Sequence, residues 1–123
     1  MKTILVVDDE LTILDITAAI LEKLKYNPVT TQSADEASAL IDEGGIDLAL
    51  VDVVLPGRGG LDLLMEIKDK HPELPVIIMT GKIKVNNDPF TNLTSQFGAR
   101  AVLPKPFTPE ELLEVIRSVL GKA

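Results

Sequence analysis

The sequence predicts an α/β fold built on a single parallel sheet of five strands, and three observations support that prediction. Short apolar segments alternate along the whole chain with segments whose apolar residues recur at helical spacing. Connections of helix length require neighbouring strands to run parallel. Four of the five apolar segments also end in polar residues, as strands do where their carboxyl ends form a ligand-binding edge. These polar residues are Asp8 and Asp9, Asp52, Thr80, and Lys105.

The first two strands differ in the strength of their sequence signals. Residues 4–7 form a continuous apolar run, which is typical of a strand that is buried on both faces. A helix is then predicted from about Glu10 to Lys25, because leucine and alanine residues recur there at helical spacing. Residues 28–31 predict a second strand that is weaker and shorter than the first.

The second helix is predicted to begin at a capping box. Ser33 and Glu36 have the spacing at which the serine side chain caps the helix and the glutamate side chain accepts a hydrogen bond from the serine amide. We expect this helix to continue through Ile41 and to end at Gly44 and Gly45, because glycine is common at helix ends.

The middle of the chain repeats the pattern of strand, loop and helix. The third strand is predicted at residues 48–51, and Asp52 follows it directly. Glycine and proline residues at 56–60 predict a turn-rich loop. A third helix is then predicted from Leu61 to a point near Pro72, since proline does not continue a helix.

The fourth and fifth strands are separated by a segment that departs from this pattern. The fourth strand is predicted at 76–79 and is followed by Thr80. Residues 81–96 contain few apolar residues and many loop formers, so we expect a long loop and a short helix that begins near Asp88. The fifth strand is predicted at residues 101–103.

The last helix has the clearest start signal in the chain. Thr108 is a suitable N-cap, Pro109 occupies the first helical position, and Glu111 completes a second capping box. The helix is predicted to end after Leu120. We see no linker or repeat, and we therefore expect one domain over residues 1–123, with no output domain.

The composition excludes several classes of function. The chain has no cysteine and one histidine, His71, so disulfide scaffolds, thiolate metal sites and multi-histidine sites are excluded. Its net charge of −7 argues against nucleic-acid binding through a general positive field. No apolar run approaches the roughly 20 residues that a membrane helix needs. We therefore expect a cytoplasmic protein with a protein partner.

The acidic residues at the predicted strand ends suggest a metal site. Asp8, Asp9 and Asp52 would repel one another in one crevice. A hard divalent cation relieves the repulsion, and oxygen ligands of this kind favour Mg²⁺ or Mn²⁺ with waters completing the coordination. Taken alone, an aspartate pair after a strand is also common as a helix cap.

Two further residues at this edge suit an anionic group. Lys105 lies between Pro104 and Pro106, which stiffen the backbone. Its ammonium group can therefore reach a phosphoryl oxygen from a fixed backbone position. Thr80 is either a residue that simply favours a strand or a hydroxyl donor for the same oxygen. Together with the carboxylates, these groups predict phosphoryl chemistry.

These residues, in this order, resemble the receiver domain of bacterial two-component response regulators. The resemblance covers essentially the whole chain. It implies a flavodoxin-like, doubly wound fold with about five helices and the strand order 2-1-3-4-5. The matching segments are residues 6–10, 52–57, 79–81 and 103–107.

The resemblance implies a role for each acidic residue at the site. Asp52 would be the phosphoacceptor, which attacks a phosphohistidine on a partner kinase. Asp9 would bind Mg²⁺ directly, Asp8 would bind it mostly through water, and the backbone carbonyl of Val54 would supply a further ligand. Asp52 itself would also contact the metal.

The resemblance also implies how the switch works and where this chain departs from it. Thr80 would move to the phosphoryl group, Lys105 would pair with that group, and the peptide bond between Lys105 and Pro106 would be cis. Receivers generally carry Tyr or Phe on the fifth strand, three residues before the lysine, whereas this chain has Val102. The usual aromatic movement is therefore not available in its ordinary form.

The function that the resemblance implies is phosphorelay signal transduction. The chain would accept a phosphoryl group from a sensor histidine kinase or a histidine phosphotransfer protein and would switch an interaction surface for a downstream protein. It would assist its own phosphorylation and dephosphorylation without being a metabolic enzyme. One alternative is a receiver-like interaction module that is never phosphorylated.

Two other classes of protein remain as alternatives. A haloacid-dehalogenase-type phosphatase also uses an aspartate nucleophile and Mg²⁺, but it needs a second acid two residues later. That position holds Val54 after Asp52, or Glu10 after Asp8. A flavodoxin-like cofactor binder would need a phosphate loop after the first strand, where this chain instead places acidic residues.

Overall fold

The structure is a computed structural model that describes residues 1–53, 55, 59–81 and 98–121. Over this part of the chain, five strands and four helices follow one another in the predicted order. The expected loop and short helix near Asp88 lie outside the described residues. The strands are β1 (Thr3–Val7), β2 (Asn27–Thr31), β3 (Leu48–Asp52), β4 (Val76–Thr80) and β5 (Ala101–Pro104), and the helices are α1 (Leu11–Lys23), α2 (Ala34–Glu43), α3 (Gly60–Lys70) and α4 (Pro109–Leu120).

The strands form one sheet in the order β2-β1-β3-β4-β5, and every neighbouring pair is parallel. This confirms the α/β class, the flavodoxin-like doubly wound arrangement and the strand order 2-1-3-4-5. β1, β3 and β4 consist almost entirely of buried residues, as continuous apolar strands between two helical layers should. None of the described helices combines the length and the apolar character needed to span a membrane.

β2 is longer than its sequence signal indicated. It has five residues, as β1 has, and each of them is in register with a residue of β1, from Asn27 beside Thr3 to Thr31 beside Val7. β2 lies at the edge of the sheet and only its last residue is buried. An edge strand with little burial has little need of apolar residues, which explains why the pattern there was weak.

The helix caps agree with the sequence in one case and differ in the other. Thr108 and Glu111 form the full reciprocal capping box at the start of α4. At α2, the Ser33 hydroxyl accepts a hydrogen bond from the Glu36 amide at 3.0 Å, but the Glu36 carboxylate accepts from the Thr31 hydroxyl instead of from the Ser33 amide. The prediction of a complete box at α2 was therefore wrong in its second half, because the Glu36 carboxylate and the Ser33 amide both bond to the Thr31 hydroxyl.

The two faces of the sheet carry separate apolar clusters. Side chains of successive strand residues point to opposite faces, so Leu5 and Val7 pack with α2 and α3, whereas Ile4 and Val6 pack with α1 and α4. Burial of these side chains stabilises the fold by roughly 1.5–3 kcal/mol for each large residue. The sheet is therefore packed between two layers of helices, each with its own apolar cluster.

His71, the single histidine, has a structural place at the end of α3. It is the C-cap residue, and its ring nitrogen Nε2 lies 2.8 Å from Asp42 Oδ1 at the end of α2. This hydrogen bond lowers the pKa of Asp42 below its ordinary value, with smaller contributions from nearby positive charge. The histidine therefore joins the ends of two helices at the edge of the sheet opposite to Asp52.

The start of α3 approaches the end of β3 so closely that only glycine fits there. A Cβ atom on Gly60 would overlap the backbone carbonyl oxygen of Asp52 and would lie 2.8 Å from the Cα atom of Val53. The Gly60 amide donates a hydrogen bond to the Val53 carbonyl at 3.0 Å. The preceding residue, Gly59, has open space around the same position. Gly60 therefore fixes how α3 sits against the residue that ends β3.

We predict that Gly60→Ala lowers the free energy of unfolding by about 2–3 kcal/mol, because the added methyl group must displace α3 or the end of β3. Gly59→Ala is the matched control and should cost less than about 1 kcal/mol, the usual effect of alanine at an N-cap. Urea denaturation followed by far-ultraviolet circular dichroism measures both. Equal free energies of unfolding for the two variants would show that the close contact does not require glycine at position 60.

Candidate functional site

Parallel pairing places the polar strand ends at one edge of the sheet. Asp8 directly follows Val7, which is in register with Val51, the residue before Asp52. Thr80 is in register with Pro104, the residue before Lys105. The register therefore brings the ends of β1, β3, β4 and β5 to the same edge, as the sequence predicted.

The ammonium group of Lys105 links two of these ends. Its Nζ atom donates to Asp8 Oδ2 at 2.5 Å and to Asp52 Oδ2 at 3.0 Å. Asp8 is fully buried, Asp52 is 6% exposed, and the Lys105 side chain is 12% exposed. Buried carboxylates are stable when they are paired and hydrogen-bonded, so one cation holds both side chains in the crevice.

The surroundings of Lys105 act on its pKa in opposite directions. Burial alone would lower the pKa of Lys105, but the hydrogen bonds to Asp8 and Asp52 and their negative charges outweigh burial and raise the pKa above its usual value of 10.5. A raised pKa in the folded state means that the charged lysine contributes stability in full below about pH 10.5. That contribution is lost as the pH rises through the raised pKa.

A second set of acidic side chains includes Asp8 and lies at the end of β1. Oxygen atoms of Asp8, Asp9 and Glu10 all lie within 4.8 Å of one another. Asp9 and Glu10 are exposed, and the Glu10 amide donates to Asp8 Oδ1 at 3.0 Å. These oxygen ligands fit a hard divalent cation such as Mg²⁺ or Mn²⁺. Asp52 is not a member of this close group and is joined to Asp8 through Lys105.

Thr80 presents an unsatisfied hydroxyl at the same edge. Its side chain is 6% exposed, and its Oγ1 atom has no hydrogen-bond partner among the described residues. A buried polar group left unpaired costs about 1–3 kcal/mol. The Thr80 carbonyl accepts a hydrogen bond from the Lys105 amide at 2.7 Å, so the backbones of β4 and β5 are tied together beside this hydroxyl.

Of the remaining site features predicted from the sequence, the structure describes two and does not describe the third. The peptide bond between Lys105 and Pro106 is cis, which agrees with the resemblance. Val102 is half-buried on β5 in register with Ile78, so no aromatic side chain occupies that position. The carbonyl of Val54 lies outside the described residues.

The structure also identifies contacts that no sequence motif indicated. The side-chain amide of Gln32 donates to the backbone carbonyl of Asp9 at 3.0 Å. The Asp8 amide donates to the Thr31 carbonyl at 3.2 Å. The end of β2 therefore holds the loop that carries the acidic residues. Glu10 was likewise not predicted as a ligand, although its position directly after the aspartate pair was a visible signal.

Comparison with known proteins gives consistent findings. The family model of the response regulator receiver domain matches residues 4–117. The chain is 40% identical over 119 residues to the regulatory protein VanR of Enterococcus faecium, which covers 97% of this chain and 50% of that protein. The chain spans about half the length of the curated relatives it matches.

Solved structures give the same result. The receiver domain of NtrX from Brucella abortus is 37% identical with a TM-score of 0.87, covering 98% of this chain and 99% of that chain. A CheY-like response regulator receiver domain protein from Methanospirillum hungatei is 36% identical with a TM-score of 0.85, covering 96% of this chain and 92% of that chain.

We predict that Lys105→Met lowers the free energy of unfolding by about 3–5 kcal/mol at pH 7 in metal-free buffer, because it leaves two buried carboxylates without their shared cation. Urea denaturation is the measurement. The difference from the wild type should stay constant up to about pH 10.5 and should shrink at higher pH, as the wild-type lysine loses its proton.

Asp8→Asn in the Lys105→Met background is the control for this prediction. It removes the fully buried negative charge and should recover at least half of the lost stability. A double variant no more stable than Lys105→Met would show that electrostatic repulsion is not the cause.

Proposed function

This chain belongs to the response regulator receiver domain family, and on that premise we propose that it accepts a phosphoryl group on Asp52. The donor in this proposal is a sensor histidine kinase or a histidine phosphotransfer protein, and the result is a switched surface for a downstream protein. The observation that carries the proposal is the Lys105 ammonium group between the Asp8 and Asp52 carboxylates. It provides a preformed positive charge beside the acceptor carboxylate.

The transfer step uses the carboxylate of Asp52 as the nucleophile. One of its oxygen atoms attacks the phosphorus of the donor phosphohistidine, a P–O bond forms, the P–N bond breaks, and the imidazole leaves with its electron pair. Asp52 is almost fully buried, so the new acyl phosphate is partly screened from bulk water. In this proposal the chain assists its own phosphorylation and later dephosphorylation, and it has no metabolic substrate.

We assign the divalent cation, Mg²⁺ or Mn²⁺, to the acidic side chains at the end of β1. Asp9 and Asp8 would hold it together with Asp52 and the backbone carbonyl of Val54, with Glu10 close enough to take part. When bound, the cation would supply positive charge to the phosphoryl oxygens. Its presence would also relieve the repulsion among the carboxylates.

Two residues of the chain are placed to respond to the phosphoryl group. Phosphorylation adds a charge of about −1.5 to −2 and three strong acceptor oxygens. Lys105 already contacts Asp52 and would pair with one oxygen. Thr80 has a buried hydroxyl without a partner among the described residues, and it would gain one. Both responses act on the ends of β4 and β5.

The switch at β5 would proceed without an aromatic side chain. Val102 is half-buried where receivers generally have Tyr or Phe. A valine has a single stiff torsion and no ring to turn inward. We therefore propose that movement of Thr80 is coupled to β5 through the backbone hydrogen bond from Lys105 to the Thr80 carbonyl.

The scope of this proposal is the receiver function alone. The curated relatives are about twice as long as this chain, so the proposal does not extend to the activities of those whole proteins. We propose that these residues work as one receiver domain in the cytoplasm, where their kinase partners present phosphohistidine. The family match does not favour the haloacid-dehalogenase alternative.

We predict that the wild-type protein gains one phosphoryl group after incubation with Mg²⁺ and acetyl phosphate, whereas Asp52→Asn gains none. Intact-mass spectrometry is the measurement. Asp69→Asn is the matched control, because it makes the same chemical change at an exposed position on α3 and should be phosphorylated like the wild type. Removal of Mg²⁺ with a chelator should abolish the gain of mass.

A wild-type protein that gains no mass would favour the interaction module that is never phosphorylated. A gain of mass that persists in Asp52→Asn would place the acceptor elsewhere. Either result would end the proposal in its present form.

We predict that Gln32→Ala weakens Mg²⁺ binding about tenfold, the lower end of the loss that is usual for residues that orient metal ligands. The substitution removes the donor that holds the Asp9 carbonyl. Asn27→Ala is the matched control, since it removes an exposed amide from the opposite end of β2. Isothermal titration calorimetry with Mg²⁺ measures both variants.

Thermal unfolding without metal provides the second readout for this pair. Gln32→Ala should leave the unfolding temperature nearly unchanged, because the side chain is exposed. If Gln32→Ala and Asn27→Ala bind Mg²⁺ equally well, the contact with Asp9 does not position the ligand.

A further inference from the structure

A second concave site lies at the edge of the sheet opposite to Asp52. It is a cleft of about 540 Å³ between the end of α1, the residues that precede β1, β2 and β3, and one side of α4. Its volume falls within the range of about 300–1,000 Å³ that is usual for sites of small molecules. Three cations line it, Lys2, Lys25 and Arg117, together with Asp47 and the side chains of Leu24, Tyr26 and Leu113.

The walls of the cleft are positively charged although the chain is acidic. Lys2, Lys25 and Arg117 line it, whereas the net charge of the whole chain is −7. None of these three cations forms an ion pair with another described residue. Clustered like charges in a cleft focus a potential that attracts an oppositely charged ligand.

The acidic residue that lines the cleft is already engaged. Asp47 Oδ2 accepts a hydrogen bond from the Thr3 amide at 2.8 Å, and the Asp47 amide donates to the Thr3 carbonyl at 2.8 Å. Asp47 therefore joins the start of β3 to the start of β1. Its single negative charge does not balance the three cations.

The backbone of Lys25 provides an independent observation. The φ angle of Lys25 is +71°, the left-handed conformation that often follows a helix. The backbone amide of Tyr26 donates to the Leu21 carbonyl at 2.9 Å and closes the end of α1. Glycine is the residue that adopts this conformation without steric cost. A lysine in this backbone conformation lowers the stability of the fold, and here its side chain lines the cleft. Strained positions of this kind are frequent at functional sites.

The remaining walls are apolar. Leu24, Leu113 and the ring of Tyr26 line the cleft, and all three are half-buried. An apolar wall beside a cluster of cations suits a ligand with an organic part and a multiply charged anionic part. Inorganic anions would use the cations alone.

We propose that this cleft binds a small phosphorylated anion of the nucleoside diphosphate class. Its phosphate groups lie against the ammonium and guanidinium groups, and its organic part lies against Tyr26 and the two leucines. The site is at the opposite edge from Asp52, and the proposal stands independently of phosphoryl transfer.

The test is calorimetric titration of the Asp52→Asn protein with ADP and, separately, with pyrophosphate, both in the presence of a chelator. The chelator prevents metal-bridged contact of ADP with the acidic residues of the carboxyl edge, and Asp52→Asn removes the acceptor carboxylate. ADP should bind, and pyrophosphate should bind at least fivefold more weakly. Failure of ADP to bind overturns the proposal, and equal binding of the two overturns the nucleoside assignment.

Two variants in the same background locate the ligand. Lys25→Gly should weaken ADP binding at least fivefold and should raise the unfolding temperature, because glycine relieves the left-handed strain. Lys23→Gln removes the same charge from an exposed position on α1 that does not line the cleft, and it should change ADP binding less than twofold. Equal weakening in both variants would reveal a general charge effect and would overturn the cleft as the site.

Discussion

The arrangement of polar side chains at the carboxyl edge of the sheet depends on one ammonium group that lies between two buried carboxylates. Asp8 and Asp52 end neighbouring strands, and at that depth their negative charges would repel one another strongly if no cation stood between them. Lys105 directly follows β5, which is separated from β3 by β4. The interaction therefore spans the carboxyl ends of four strands and turns separate polar residues into a single electrostatic unit.

The polar groups of this unit differ in whether they have hydrogen-bond partners. The two carboxylates that bind Lys105 have hydrogen bonds, whereas the buried hydroxyl of Thr80 has none among the described residues. A new anionic group at Asp52 would compete for Lys105 and would offer Thr80 an acceptor. In that proposed rearrangement one group would gain a partner while another lost one, and the hydrogen bond from the Lys105 amide to the Thr80 carbonyl would link the two changes.

The sequence was most informative where a residue's role follows from its position on a strand. The polar residues that follow the apolar runs at Asp8, Asp52, Thr80 and Lys105 were predictable, because parallel strands bring their carboxyl ends together. The strand order needed the resemblance to a known family, since alternation of strands and helices alone permits several orders. The peptide geometry before Pro106 came from the same resemblance.

The sequence was least informative where a contact depends on the reach of a side chain. The side-chain amide of Gln32, which follows β2, contacts the Asp9 carbonyl far away in the sequence, and no local pattern encodes that contact. Glu36 was expected to close a capping box, but the Thr31 hydroxyl intercepts its carboxylate. Gly60 was seen as part of a loop, whereas its need for glycine arises from the backbone of β3 that it touches.

The division of the interior into two apolar layers has a consequence for engineering. Because the helices α2 and α3 contact one face of the sheet and α1 and α4 contact the other, the side chains of one layer do not need to match those of the other. We expect that α2 and α3 from a relative could be exchanged as a block only together with the strand residues that face them, because those helices and strand residues form one cluster. Recombination between homologous genes would meet the same rule, and chimeras that respect the alternation along each strand should assemble.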